Sequence, residues 1–145
     1  MDAGGVSPER EAEMRQVVDR VARWSVNRSD VVGLLLVGSC ARGAARPDSD
    51  VDLVLLSTAA DRYGADDAWA GELSLGELVR VREWGPITEW RYVTASGLEV
   101  EVGVGSPGWA RADPVDDGTR NVVTDGARPL YDPTGILREL IQACA

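Results

Sequence analysis

The stretch VGSCARGAARPDSDVDLVLL, from Val37 to Leu56, decides how this chain is interpreted. Both of its ends are apolar and predict β-strands, yet Asp50 and Asp52 interrupt the second apolar run. A buried carboxylate is costly unless a partner compensates its charge. Because side chains alternate along a strand, both aspartates are expected on one face. They therefore need a shared partner, which is either a structural cation such as an arginine or a catalytic one, and the alternative is an exposed pair at a strand edge.

A divalent cation satisfies both aspartates, because Mg²⁺ prefers carboxylate and phosphate oxygens as ligands. Gly38 and Ser39 end the preceding strand, where a small residue and free amides let a phosphate approach the backbone. Arg42 and Arg46 lie in the connection between the strands, and their side chains suit phosphate oxygens. We count Ser49, in the turn before the aspartates, with these phosphate-side candidates. The stretch predicts a site for a nucleotide and a metal.

A third carboxylate is expected at such a site, since phosphoryl transfer commonly needs a further metal ligand or a base. Residues 98–104 alternate in polarity, which sets Glu99 and Glu101 on one face of a strand. Either glutamate can supply the third acid if that strand lies beside the aspartate strand. The solvent face of an amphipathic strand explains the same pattern, so the residues alone leave the choice open.

The composition excludes several kinds of catalytic and metal site. The 145 residues carry a net charge of −9 and include no histidine and two cysteines. Ser-His-Asp and Cys-His catalysis are therefore excluded, as are zinc sites built on histidine or on four cysteines. The acidic charge disfavours broad, non-specific nucleic-acid binding. The chain shows no signal-peptide pattern and no long apolar run, so we expect a cytoplasmic protein without a membrane partner, with Cys40 and Cys144 reduced.

The periodicity of the sequence predicts a single α+β domain over 1–145, with a loose tail at 1–6. Ser7-Pro8-Glu9 is typical of a helix start, and the apolar spacing continues this helix to about Arg28. The other expected strands are at 31–37, 50–56, 87–94 and 98–104, with short extended pieces at 121–124 and up to 131. Loops are expected at 57–65 and 105–118. The expected helices are a turn or short helix at 41–45, one broken or two short helices over 66–83 and a closing helix over 133–143. This order predicts a mixed sheet with helices on one side.

Gly-Ser, ten residues and Asp-x-Asp, with an acid on a later strand, resembles the signature of the DNA-polymerase-beta nucleotidyltransferase superfamily. The segment GSCARGAARPDSDVDL is similar to the minimal nucleotidyltransferases in particular, which are small single-domain members. The resemblance implies a palm-like nucleotidyltransferase fold, a mixed β-sheet flanked by helices.

The same resemblance implies roles for individual residues. Gly38 and Ser39 hold the triphosphate, and Asp50 and Asp52 bind Mg²⁺, or Mn²⁺ in its place. Glu101 is the implied third acid and metal ligand, because it follows the turn glycine in a Gly-x-x-apolar-acid pattern. Most family members have Asp at this position, and Glu99 remains the alternative.

The implied activity is transfer of a nucleoside monophosphate from an NTP, expected to be ATP, to a hydroxyl, with release of pyrophosphate. Members of this kind often act as antitoxins that AMP-modify a tyrosine on a helical HEPN-domain toxin, so such a protein is the expected partner. The alternative acceptors are a nucleic-acid 3′-hydroxyl, as in the polymerases, and a small molecule such as an aminoglycoside. A non-catalytic nucleotide-binding module is the alternative without turnover.

Overall fold

The computed structural model describes residues 5–65 and 67–145. In chain order its elements are α1 (Pro8–Val26), β1 (Val31–Val37), β2 (Val51–Ser57), α2 (Ala60–Ala65), α3 (Ala68–Gly71), β3 (Glu77–Trp84), β4 (Ile87–Val93), β5 (Glu99–Gly105), a 3-10 turn (Pro107–Ala110), α4 (Asp117–Thr124), β6 (Ala127–Tyr131) and α5 (Ile136–Cys144). The strands form one sheet in the order β3-β4-β5-β2-β1-β6. Only β2 and β5 pair in parallel among these neighbours, so the described sheet is mixed, as predicted.

Helix α1 begins where the sequence predicts. The extended Ser7 accepts a hydrogen bond from the Arg10 amide on its Oγ at 3.1 Å, and Pro8 occupies the first helical position. Met14 and Val17 are buried against the sheet. Of the tail predicted at 1–6, residues 1–4 lie outside the described part of the chain.

Helices cover both faces of the sheet, so the prediction of helices on one side is wrong. Leu34 and Leu36 lie in a core cluster with residues of α1 and α3. Leu35, between them, lies in a second cluster with Leu137 and Leu140 of α5. A strand whose residues are apolar on both faces must be buried on both faces, and the sequence of β1 is apolar throughout.

The helical prediction over 66–83 is wrong for its second half, which forms strand β3. The segment 68–71 is helical, but Glu77–Trp84 pairs antiparallel with β4 at the sheet edge. A bulge between Leu78 and Arg80 shifts the register, and all eight residues are exposed. Because neither face of β3 is buried, its residues give no burial pattern that would distinguish this strand from a helix. Asp66, the first residue of the predicted helix, lies outside the described residues.

Two further elements differ from the prediction. Residues 121–124, predicted as extended, belong to α4, because the Asp116 carboxylate caps this helix by accepting from the Gly118 and Thr119 amides. The cap outweighs the β-propensity of the two valines and the threonine that follow. Residues 60–65, predicted as loop, form α2, and the loop predicted at 105–118 contains a 3-10 turn.

Neither cysteine forms a disulfide. The Cys40 thiol donates to the backbone oxygen of Asp50 at 3.3 Å, and Cys144 packs against the second core cluster. Among the residues that the structure describes, no helix is long and apolar enough to cross a membrane. The cytoplasmic location stays a prediction.

Candidate active site

Strand register brings the predicted acids together. The parallel pairing of β2 with β5 sets Asp52 beside Glu101. The antiparallel pairing of β4 with β5 sets Arg91 beside Glu101 on the other side. Residues directly opposite each other in neighbouring strands share a face of the sheet. Arg91, Glu101 and Asp52 therefore form a line across three strands, which we call the charged row.

Gly38 lies next to the charged row, directly after β1. Val37 pairs with Asp52 across β1 and β2, and Gly38 then takes a φ of +77°. A Cβ at position 38 would lie 3.1 Å from Oδ2 of Asp52. Both the left-handed backbone and the approach of the carboxylate therefore favour glycine here.

The residues after Gly38 form a hydrogen-bonded turn, one of the two forms predicted for this segment. The Ala41 amide donates to the Gly38 oxygen, and the Ala44 amide donates to the Ser39 oxygen. Within the described residues, the amides of Ser39 and Cys40 have no hydrogen-bond acceptor. Two N–H groups at the start of a helical turn are suited to an anion.

The two serines of the predicted site tie the ends of this connection together. The Ser39 Oγ donates to the Ser49 Oγ at 3.0 Å, and the Ser49 Oγ accepts from the Arg46 amide at 2.8 Å. Ser49 therefore positions the Ser39 hydroxyl, a structural contact that its place in a turn did not indicate.

The two arginines of the connection pair with carboxylates. Arg42 donates to the backbone oxygen of Asp125 and lies 3.2 Å from its Oδ1. Arg46 lies 4.0 Å from Asp48, and both of these side chains are largely exposed. Exposed ion pairs contribute little to stability and exchange readily for another partner. The phosphate-binding roles predicted for Arg42 and Arg46 stay predictions.

Asp52 has an unusual environment for a carboxylate. Burial, together with the charges of Glu101 and Asp50, raises the pKa of Asp52 to about 7, against the opposing charge of Arg91. Among the described residues, Oδ1 of Asp52 and Oε1 of Glu101 are buried and have no hydrogen-bond partner. The site thus concentrates negative charge that the protein itself leaves incompletely satisfied.

Arg91 is a site residue that the sequence analysis missed. Its guanidinium lies 2.8 Å from Oδ2 of Asp50, 3.3 Å from Oε1 of Glu101 and 3.6 Å from Oε1 of Glu99. Although burial alone lowers the pKa of Arg91, the hydrogen bond to Asp50 and the charge of Glu101 raise it above its ordinary value. The sequence offered only a charged residue in an alternating strand, because register decides which strand lies alongside.

The two candidate glutamates occupy different positions. The Glu101 side chain is 15% exposed and lies beside Asp52, whereas the Glu99 side chain is 44% exposed and lies 3.6 Å from Arg91. Position therefore favours Glu101 as the third acid.

A cleft of about 520 Å³ crosses this face of the sheet, and Asp52 and Glu101 are part of its lining. Gly38 lies at the β1 end, and Trp84, which is 52% exposed, lies at the β3 end. Between Trp84 and Glu101, Arg82 and Glu89 form an ion pair at 2.7 Å. Residues of α4 and of the 3-10 turn also line the cleft: Trp109, Asn121, Val122 and Asp125.

The donor chemistry of the three acids fits a hard divalent cation, with Asp52 and Glu101 lining the cleft and Asp50 directly before β2. Asp50, Asp52 and Glu101 offer carboxylate oxygens, the ligands that Mg²⁺ prefers, and two of these oxygens are buried without a hydrogen bond. Within 5–65 and 67–145, no three acidic, cysteine or histidine side chains are already gathered as a metal site. The Arg91 guanidinium lies between Asp50 and Glu101 instead.

Solved structures share this fold. A cytoplasmic RNA terminal U-transferase matches with a TM-score of 0.52 and 16% identity over 83% of this chain and 34% of its own. The Cid1 poly(U) polymerase with Mg and 3′-dATP matches with a TM-score of 0.51 and 18% identity over 70% of this chain and 33% of its own. The chain thus spans about a third of the length of these structures, and the likeness at such identities is one of fold.

The sequence itself carries the family relationship. Residues 14–102 match the nucleotidyltransferase domain family, and this segment contains every predicted site residue. No curated protein sequence matches the chain significantly. The match confirms the resemblance found in the Gly-Ser and Asp-x-Asp motifs, and the solved structures confirm the implied fold. Because the match covers more than half of the chain and both motif strands, this chain belongs to the nucleotidyltransferase domain family.

Proposed function

We propose that this domain transfers a nucleoside monophosphate from an NTP to a hydroxyl acceptor and releases pyrophosphate. The observation that carries the proposal is the single cleft in which Gly38, Asp52 and Glu101 lie together. The family relationship supports nucleotidyl transfer in general, and the fit of the acids to a hard cation supports Mg²⁺ or Mn²⁺ as the metal.

In the proposed reaction, the acceptor oxygen forms a bond to the α-phosphorus of the NTP. The bond from that phosphorus to the bridging oxygen of the β-phosphate breaks, and pyrophosphate leaves. Asp50, Asp52 and Glu101 would hold Mg²⁺, which would supply neutralisation of the phosphate charge. Glu101 is alternatively the base that receives the hydroxyl proton.

The turn after β1 is the proposed phosphate-binding element. The Ser39 and Cys40 amides, which have no acceptor among the described residues, would donate to the β- and γ-phosphates. The Ser39 hydroxyl would do so as well on exchanging its bond to Ser49 for a phosphate oxygen. Arg42 lies beside this turn and would exchange its exposed pairing with Asp125 for a phosphate oxygen.

The direction of the cleft indicates where the acceptor enters. In an in-line displacement, the attacking oxygen and the leaving pyrophosphate lie on opposite sides of the phosphorus. With the phosphates at Gly38, the acceptor approaches from the β3 end of the cleft, past Trp84 and the pair of Arg82 with Glu89.

We propose a protein hydroxyl as the acceptor, such as a tyrosine of a helical HEPN-domain partner, with ATP as donor and an antitoxin role for this chain. Strand β3 supports a protein acceptor, because it carries four of the five exposed large apolar side chains of the described residues: Leu78, Val79, Val81 and Trp84. Exposed apolar side chains along one edge strand favour protein contact, and Trp84 is the one of these four that lines the cleft. The net charge of −9 disfavours a nucleic-acid acceptor.

Pyrophosphate release with Mg²⁺ and each NTP in turn, measured with the candidate partner present, tests the transfer. The double variant Asp50→Asn/Asp52→Asn is expected to lose at least about 100-fold in turnover, because it removes the charges that hold the metal. Asp48→Asn is the matched control, since this acid lies in the same segment and is 86% exposed. Full turnover by the double variant would show that the aspartates are not catalytic.

Intact mass of a co-expressed helical neighbour tests the acceptor, and the expected result is a gain of one nucleoside monophosphate. An RNA primer incubated with each NTP serves as the competing acceptor. Primer extension without protein modification would replace the protein acceptor with a nucleic-acid 3′-hydroxyl. Trp84→Ala is expected to raise KM for the acceptor and to leave KM for the NTP unchanged.

A further inference from the structure

Arg91 pairs with two of the three predicted acids, Asp50 and Glu101, and Glu101 lines the cleft. The Arg91 side chain is 16% exposed and touches two carboxylates, that of Asp50 directly before β2 and that of Glu101 in β5. Its position in the charged row follows from register, since β4 pairs with β5 at Arg91 and Glu101. Arg80 of β3 lies beyond Arg91 and contacts Glu101 at 3.6 Å from a more exposed position.

Both the acidic and the basic side chains of the charged row have atoms without a hydrogen-bond partner among the described residues. Oε1 of Glu101 is 3.3 Å from the Arg91 guanidinium but makes no hydrogen bond with it. Nε of Arg91 and Oδ1 of Asp52 are also buried without a partner among the described residues. A buried ion pair with unsatisfied atoms adds little net stability. Such a pair is readily exchanged for a better partner of the same charge.

We propose that Arg91 is the resident counter-ion of the acidic site, occupying it in place of the metal and leaving Asp50 and Glu101 when a divalent cation and nucleotide bind together. The inference rests on the proposed function, because it assigns the acids to a metal. Arg91 is a positioning residue in this scheme.

The exchange couples the metal to the nucleotide. A free cation competes with the guanidinium and is repelled by it, so the protein binds the metal alone weakly. An NTP brings phosphate oxygens, and a guanidinium pairs well with phosphate. When both ligands bind, Arg91 pairs with a phosphate and the carboxylates pair with the cation. Metal affinity should therefore rise sharply with the nucleotide present, and this rise should depend on Arg91.

Titration with Mn²⁺, followed by electron paramagnetic resonance, tests the proposal with and without a non-hydrolysable NTP analogue. For Arg91→Gln, affinity for Mn²⁺ alone is expected to rise at least about tenfold, because the competing charge is gone. The enhancement by the analogue is expected to shrink. Arg91→Lys keeps the charge and should bind Mn²⁺ alone as weakly as the wild type.

Arg28→Gln is the matched control, since Arg28 also joins two acids, Asp30 and Glu72, but lies away from the cleft. Its Mn²⁺ affinity should equal that of the wild type. Unchanged or weaker Mn²⁺ binding by Arg91→Gln would overturn the proposal, as would an equal gain in Arg28→Gln.

Stability gives a second readout if Arg91→Gln is unfolded in metal-free buffer. Millimolar Mn²⁺ should then restore its circular dichroism spectrum, and failure at saturating Mn²⁺ would overturn the proposal. The proposed function fails separately. If the wild type binds no NTP analogue at any Mn²⁺ concentration, nucleotidyl transfer is excluded, whereas analogue binding with no effect of Arg91→Gln rejects only the counter-ion role.

Discussion

At Asp52, burial and the neighbouring charges of Glu101 and Asp50 act in the same direction. All three favour the protonated carboxyl, and Arg91 offsets them only in part. The unpartnered Oδ1 belongs to the same carboxyl. An acid kept in such surroundings destabilises the folded chain, which is typical of a functional site.

Stability without metal is expected to fall as pH rises from about 4 to about 7. The folded pKa of Asp52, about 7, lies above its ordinary value of 3.8, so the folded state binds this proton more tightly than the unfolded state. The stabilisation is complete below the unfolded value and is lost as pH passes through the folded value. Asp52→Asn should therefore raise the free energy of unfolding at pH 8 by roughly 1–3 kcal/mol and change it little at pH 4.

Urea denaturation in chelator-treated buffer at both pH values measures this difference. The exposed Asp48→Asn should leave stability unchanged at each pH. A gain for Asp52→Asn that is equal at pH 4 and pH 8 would contradict the assigned cause.

Gly38 and Gly43 make a matched pair for the phosphate turn. Their φ angles are +77° and +69°, so alanine at either position should cost about 1 kcal/mol of stability. Only at position 38 would the new Cβ meet Asp52, at 3.1 Å, since nothing lies within 4 Å of a Cβ at position 43. Pyrophosphate release should therefore fall in Gly38→Ala and persist in Gly43→Ala. Equal activity of the two variants would refute the close approach to Asp52.

At the scale of elements, β4 and β5 pack together because a large side chain of β4 lies over a glycine of β5. Ile87 of β4 is buried, and it packs over Gly103, where an added Cβ would lie 2.9 Å from its Cγ2. This packing sets the floor of the cleft next to Glu101.

Gly103→Ala is expected to destabilise the protein by about 1–3 kcal/mol through overpacking against Ile87. In an Ile87→Ala background the same change should cost less, because the opposing methyl group is gone. A double-mutant cycle in urea gives the coupling energy. Additive effects would show that Ile87 does not limit position 103.

For the whole molecule, one face of the sheet is divided between core and site. Along β2, Asp52 is followed on the same face by Val54 and Leu56, which join the core cluster of α5. Helix α5 covers the apolar half, and the charged half remains open as the cleft. The position of the site thus follows from where the covering helices end.

Leu137→Ala tests this division of the face. Leu137 is fully buried in the cluster under α5, so its truncation should cost about 2–5 kcal/mol of unfolding free energy. Glu139→Ala, on the exposed side of α5, should change stability by no more than about 0.5 kcal/mol. Because α5 does not line the cleft, folded Leu137→Ala should keep its turnover. Loss of turnover at a temperature where it is folded would contradict this separation.

The sequence was sufficient where the signal is local. Ser7 and Pro8 defined the start of α1, and the apolar run of β1 defined a buried strand. Prediction from the sequence failed where a partner strand or an overlooked cap determines the secondary structure. Strand β3 has no burial pattern, and helix α4 is capped by Asp116. Pairing and capping override propensity at those positions.

The sequence by itself determined which candidate groups this protein carries: a glycine and a serine ten residues before two aspartates, with acids on a later strand and no histidine. Spacing along one chain fixes which side chains share a face, since strand geometry is periodic. Only the tertiary structure decided that Glu101 lies beside Asp52 and that Arg91 lies between Asp50 and Glu101. The physical reason is register, because strands distant in sequence meet only when the sheet is assembled.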